Sequence, residues 1–374
     1  MEIVRSKNIL PSHTLVIYGY EIDKTKKVAD QFVKAGYQDV LIYTHFAEEW
    51  SKDIRYPMQR LQRYKHLVSA EWLHELIQTN NAPLYENNRF VICHAHYQNR
   101  PDYEKGHIPK SIALDTNELE STKTWNRRSP EELKKTLEQL GITHDTTVIL
   151  YGRFSSPDNA DPFPGSSAGH LGAMRCAFIM LYAGVKDVRL LNGGLQSWSD
   201  AGYEISTKEF KRKSINDFGA KIPGNSDVVV DLSQAKKILQ AKNKNLVSVR
   251  SWKEYIGEVS GYHYIDKKGR IPGAVFGNCG SDAYHMENYR NLDHTMKEYH
   301  EIENMWEENG ITSDKKNSFY CGTGWRASEA FFNAWLMGWP NISVFDGGWF
   351  EWTNTGNEFE TGILEEKQEQ MIVG

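Results

Sequence analysis

The chain has 374 residues, a formal charge of −5 and 25% charged side chains. That length suits two or three domains. The mildly acidic balance, with no basic block, argues against a nucleic-acid partner, and no apolar run approaches the ~18 residues of a membrane span, so no membrane insertion is expected. Four scattered cysteines, Cys93, Cys176, Cys279 and Cys321, form no Cys-x-x-Cys pair, which suggests neither a zinc site nor a disulfide framework.

Taken in order, the chain repeats one unit three times: apolar strand, Tyr-Gly or Tyr-Cys, amphipathic helix, small-residue turn, strand, Trp. The first copy runs from Val16-Ile17-Tyr18-Gly19 through Ala35-Gly36-Tyr37 and Val40-Leu41-Ile42-Tyr43 to Trp50. The second runs from Ile149-Leu150-Tyr151-Gly152 through Ala183-Gly184-Val185 and Val188-Arg189-Leu190-Leu191 to Asn192-Gly193-Gly194 and Trp198. The third runs from Phe319-Tyr320-Cys321 through Met337-Gly338-Trp339 and Ile342-Ser343-Val344-Phe345 to Asp346-Gly347-Gly348-Trp349 and Trp352. Trp50 follows Gly19 by 31 positions, as Trp352 follows Cys321; Trp198 follows Gly152 by 46. The excess lies in a Pro/Gly-rich stretch, 153–169, read as a surface loop or a lid.

Copies two and three also share a front half. Helices are predicted over 70–77 and 231–241, strands over 89–93 and 246–249, and helices ending in Gly-Ile over 130–141 and 295–310. The first copy has only about fifteen residues before Val16, too few for that half. The expected boundaries are therefore a partial domain over 1–60, a domain over 61–210 and another over 226–362, with linkers over 51–64 and 207–225, the second basic and expected to be solvated. Strands alternating with helices predict α/β domains, each a parallel sheet covered by helices on both faces.

The chemistry concentrates in Cys321-Gly322-Thr323-Gly324-Trp325-Arg326-Ala327-Ser328. A strand delivers the cysteine, two glycines turn the chain, and a helix starts just behind, with Ala327, Ala330, Phe331, Ala334 and Trp335 on one face. Amides in such a turn form an anion nest. With the helix N-terminus and Arg326 alongside, they predict a thiol of lowered pKa that reacts as thiolate.

This loop, the Arg250 at a strand end, Ile271-Pro272-Gly273-Ala274 and Asp346-Gly347-Gly348-Trp349 together resemble the rhodanese family, over nearly the whole chain and most closely the bacterial three-domain rhodanese-like thiosulfate sulfurtransferases. The resemblance implies a thiosulfate sulfurtransferase that carries sulfane sulfur on Cys321 as a persulfide and passes it to cyanide or a thiol in two half-reactions. Cys321 is then the nucleophile. The amides of Gly322, Thr323, Gly324, Trp325, Arg326, Ala327 and Ser328 hold the persulfide, and Arg326 with Arg250 hold an anionic donor. Gly19 and Gly152, at the cysteine position, leave two inactive copies, the second walling the cleft with aromatic or basic groups.

No cofactor and no metal are expected, since His94, His96 and His107 have no carboxylate or thiol at ligand spacing. The expected partners are a small anionic sulfur donor and a protein sulfur acceptor. Three alternatives stand beside thiosulfate: a sulfur carrier or docking protein, a mercaptopyruvate sulfurtransferase, which bulky Trp325 disfavours, and a phosphatase, which the Cys-x4-Arg spacing disfavours. Ser248 stands where rhodaneses often carry Asp. Cys279 is read as an inert thiol or a second sulfur-handling one. The start of the chain is no signal peptide and suits a cytoplasmic location, while the exported relatives keep an envelope location open.

Overall fold

The computed structural model of the chain describes residues 9–50, 61–153, 169–291 and 293–362. The chain divides into two compact units, Met1–Arg60 and Leu61–Gly374. In the first, strands β1 (Thr14–Tyr18) and β2 (Asp39–Tyr43) pair in parallel, joined by helix α1 (Ile22–Lys34). The loop over 154–168 lies outside the described residues.

The second unit holds two five-stranded sheets, all of whose pairings are parallel. The first sheet comprises β3 (Leu67–Val68), β4 (Phe90–His96), β5 (Ser111–Asp115), β6 (Thr147–Tyr151) and β7 (Asp187–Leu191), in the order β3-β7-β6-β4-β5. Between them run α2 (Ala70–Thr79), α3 (Arg100–Lys105), α4 (Pro130–Leu140) and α5 (Gly169–Ala183), with α6 (Gly194–Asp200) last. The second sheet comprises β8 (Val229–Val230), β9 (Lys244–Ser248), β10 (Val275–Phe276), β11 (Lys316–Tyr320) and β12 (Ile342–Phe345), in the order β10-β9-β11-β12-β8. Its helices are α7 (Leu232–Leu239), α8 (Trp252–Ile256), α9 (Tyr299–Glu307), α10 (Trp325–Leu336) and α11 (Gly348–Asn354).

Read from β8, the second order repeats the first: first strand, fifth, fourth, second, third. The fourth strand of each set is therefore central. β6 is buried throughout, as its Thr-Val-Ile-Leu-Tyr sequence requires. β11 carries polar residues and satisfies them: Asn317 Nδ2 donates to Thr312 O at 2.8 Å, and the Ser318 and Ser343 hydroxyls lie 2.6 Å apart. Gly152 follows β6 as Cys321 follows β11.

Helix ends obey local chemistry. Ser129 and Glu132 form a capping box at the start of α4, and Gly141 closes its end in the left-handed region. The helix expected from 295 begins only at Tyr299, because residues before it turn back, with Lys297 N–H donating to Tyr289 O.

One apolar cluster spans both sheets, and each sheet has a further cluster of its own. α5 is apolar around most of its surface, and α10 is buried on nearly all of its surface rather than on one face, because the two helices lie against each other. Phe178 and Phe331 meet edge-on at 5.1 Å across that contact. The basic segment over 207–225 is not simply solvated: Arg212 grips Glu118 through both nitrogens, at 2.6 and 2.8 Å, and Phe218 is fully buried.

His94, opposite Tyr151 in the β4–β6 register, is fully buried, and its ring nitrogens make no hydrogen bond among the described residues. Burial first, then His96, His107 and Arg153, pushes its pKa down to about 3. The unfolded chain therefore binds a proton below about pH 6.5 that the native state refuses, so this contribution to stability is present above 6.5 and lost as pH falls. The loss amounts to about 2–3 kcal/mol by roughly pH 4.5. His94→Leu should flatten the fall in melting temperature between pH 7 and 4.5 relative to the parent protein; equal falls in both would refute it.

Candidate active site

β11 ends at Tyr320 and α10 begins at Trp325, so residues 321–324 are the turn that presents the thiol. Both glycines are needed. A Cβ at Gly322 would run into the ring of Tyr262. Gly324 has φ +89°, where a Cβ would sit 2.9 Å from Arg175 Nη1. Ser328 donates back to Gly324 O through its amide at 2.9 Å and its hydroxyl at 2.7 Å, which tightens the first helical turn. Cys321 O and Gly322 O accept from the Trp349 and Phe350 amides, so the Asp-Gly-Gly-Trp segment holds the loop from behind.

Cys321 lines a cavity of about 250 Å³. Its wall is aromatic: Tyr262, Tyr264, Tyr284 and Trp325 from the cysteine-bearing domain, Tyr97 and Trp125 from the other. Trp125 stacks on Tyr264 at 4.7 Å, Tyr97 meets Trp325 edge-on at 5.4 Å, and Trp125 Nε1 donates to Tyr97 Oη at 3.3 Å. Aromatic narrowing of the entry by the second copy is thus what the geometry offers. Thr323 also lines the cavity.

Arg326 reaches the cavity, but it is almost wholly buried and its charge is already matched. Nη1 and Nη2 donate to the two oxygens of Glu254 at 2.9 and 2.8 Å, and Nη1 also reaches Asp282 O at 3.1 Å and Cys279 Sγ at 3.2 Å. Arg250 does not reach the cavity. It lies over the Trp349 ring at 4.8 Å and donates to Gly269 O at 2.6 Å and to Ser248 Oγ at 3.3 Å, so serine accepts where an aspartate was expected. The expected pair of open arginines for a donor anion is therefore not assembled here. Gly322, Gly324, Ala327 and Ser328 are not on the cavity wall.

Two residues missed in the sequence organise this arrangement. Glu254 closes the capping box of α8 with Ser251, accepting from its amide at 3.0 Å and its hydroxyl at 2.8 Å, while it pairs with Arg326. Burial pushes its carboxyl up, but Arg326, Arg250 and Ser251 outweigh that and hold it below the usual carboxylate range. The Ser-x-x-Glu spacing at 251–254 was the available signal. Tyr262 Oη accepts from the Gly322 amide at 3.1 Å and from Arg326 Nη2. Burial pushes the phenol well above its ordinary value, so it stays protonated. Both accepted bonds leave the phenol's own proton to be donated. Nothing in the local sequence marks Tyr262, which sits in a loop.

A model of the rhodanese-like domain matches residues 69–201 and 231–355. The chain is 42% identical to the thiosulfate sulfurtransferase YnjE of Escherichia coli K12, over 94% of this chain and 76% of that one. It is 29% identical to the sulfur carrier protein TtuD of Thermus thermophilus, over 77% and 93%. Among solved structures, wild-type EanB is 56% identical with a TM-score of 0.90, over 97% of this chain and 84% of that one. EanB has also been solved with hercynine, with ergothioneine, and with ergothioneine covalently linked to a persulfide cysteine. In EanB a substituted tyrosine precedes the persulfide cysteine by 59 residues and a substituted threonine follows it by two. Tyr262, Cys321 and Thr323 keep both intervals here.

Proposed function

The chain belongs to the rhodanese-like family, and we propose that it moves sulfane sulfur from a Cys321 persulfide to the imidazole ring of hercynine, releasing ergothioneine. The observation that carries this is the cavity over Cys321, walled by aromatic rings, whose guanidinium is already matched by Glu254. Thiosulfate keeps its charge on a compact oxyanion head that calls for an unmatched guanidinium, whereas a linear polysulfide has no such head. Hercynine is a trimethylated histidine: its ring stacks on aromatic faces and its quaternary ammonium is attracted to them. The likeness to EanB supports the same acceptor.

Loading comes first. The Cys321 sulfur attacks a sulfane sulfur of a polysulfide, and the shortened polysulfide leaves. In transfer, the outer sulfur of the persulfide bonds to the ring carbon between the two nitrogens. The S–S bond breaks with its electron pair left on the Cys321 sulfur, and the proton displaced from that carbon restores the thiol. Persulfide plus C–H becomes thiol plus C–SH, with no oxidant required. Tyr262, holding its own proton beside Gly322 and Arg326, is the group placed to donate to the bound ring. On this reading residues 1–60 are a partial domain, 61–210 an inactive domain with Gly152 at the cysteine position, and 226–362 the catalytic domain.

The test is turnover with polysulfide and hercynine, read as ergothioneine by mass, beside thiocyanate production from thiosulfate and cyanide. Ergothioneine formation that needs Cys321, with kcat/KM for thiosulfate below the ~10⁴ M⁻¹s⁻¹ of ordinary enzymes, is the expected result. Fast thiocyanate and no ergothioneine would return the thiosulfate:cyanide assignment that the 42% identity to YnjE supports.

A further inference from the structure

The cysteine-less domain does more than face the cavity. The segment from Glu120 to Arg127 is a hairpin-like excursion closed by a bridge between those two residues. It carries Trp125, whose φ of +56° is unusual for so large a residue. Arg175, fully buried on α5, holds the excursion: Nη2 donates to Trp125 O at 2.7 Å, and Nε donates to Glu120 Oε2 at 3.0 Å. Glu120, also fully buried, accepts from the Trp325 indole Nε1 at 3.1 Å to each oxygen. Asp346, at the start of the segment that backs the active loop, lies 2.7 Å from Arg175 and accepts from the amide and guanidinium of Arg127 at 2.9 and 2.8 Å. One buried ionic group thus fixes two cavity walls from opposite domains: the Trp125 carbonyl through Arg175 and the Trp325 indole through Glu120.

We infer that Glu120 and Arg175 are positioning residues for the sulfur acceptor, setting the spacing between Trp125 and Trp325 so that a flat, heteroaromatic ring is gripped over Cys321. This deepens the acceptor assignment and rests on it. An indole N–H bonded to a buried carboxylate cannot rotate without stranding both groups, and a buried charge that loses its partner is costly. The wall is therefore rigid where an apolar contact alone would let it swing. Such rigidity favours planar rings and gives little to a compact acceptor such as cyanide.

The experiment uses Glu120→Gln, Trp325→Phe and the double variant in the full chain, with polysulfide as donor and hercynine as acceptor. Glutamine removes the charge and sets an NH2, itself a donor, at one of the two oxygen positions that the indole touches, and Trp325→Phe removes the N–H while leaving the Glu120–Arg175 pair intact. Either single change should raise the hercynine KM about tenfold, the scale of one lost charge-assisted hydrogen bond, with a smaller change in kcat. The double variant should be no worse than the singles, since both cut the same link. The Trp325 indole N–H resonance, identified by its loss in Trp325→Phe, should move upfield in Glu120→Gln. Additive KM effects, an unchanged KM in Trp325→Phe, or an unmoved indole resonance would overturn the inference. If the parent protein turns over no hercynine, the acceptor assignment fails instead, and the resonance alone decides whether Glu120 holds the indole.

Discussion

Cys321→Ser should gain no sulfur. The parent chain treated with polysulfide should gain roughly 32 Da per sulfur; the serine variant should stay at its starting mass, and its turnover should fall by at least ~10³-fold. The reason is local. Cys321 is the cysteine that lines the aromatic cavity, whereas Cys93, Cys176 and Cys279 are buried away from its wall. Burial pushes the Cys93 and Cys279 thiols up to about 12 and the Cys176 thiol well above its ordinary value, so each is a protonated, poorly nucleophilic sulfur near neutral pH. A serine variant that still gains sulfur would shift suspicion to Cys279, whose Sγ touches Arg326. Mapping the modified peptide separates the two.

Glu254→Ala should be the most damaging single change to the fold around the site. It strands the Arg326 guanidinium in a place with almost no water and removes the α8 capping box at the same stroke. Breaking a buried ion pair from one side costs about 3–5 kcal/mol, which in a chain of this size lowers the melting temperature by about 4–6 °C. The double variant Glu254→Leu with Arg326→Met should recover part of that loss, because the cost lies in the unpaired charge rather than in the missing attraction. Sulfur transfer should not recover with it, since Tyr262 loses the Arg326 contact that orients its hydroxyl. A melting temperature within ~2 °C of the parent for Glu254→Ala would show that solvent reaches Arg326.

The sequence made the strand–turn–helix around Cys321 legible because each step leaves a local mark: a β run, two glycines, a run of helix formers. The doubling of a parallel α/β unit was legible for the same reason, since helix and strand periods recur at matched spacing in copies two and three; the order of strands within each sheet was not. Partnerships across long separations leave no such mark. Arg326 and Glu254 are 72 positions apart, and Trp325 and Glu120 are 205; neither pair shows a period or a motif. An arginine beside a reactive cysteine therefore suggested an anion clamp, when a carboxylate from a distant capping box had already taken it. The aromatic wall was missed in detail for the same reason: Tyr97, Trp125, Tyr262 and Tyr264 sit in loops or at strand ends, where ring residues carry no periodic signal.

The shared core between α5 and α10 bears on how substrates come and go. Phe178 and Phe331 interlock where a hinge would otherwise lie, and the apolar cluster runs unbroken from one sheet to the other. Parting the two lobes like jaws would expose that interior to water, a penalty far beyond thermal energy. Traffic through the chamber is left to single rings moving at its mouth, motions fast beside turnover, so substrates need not wait for whole lobes to breathe.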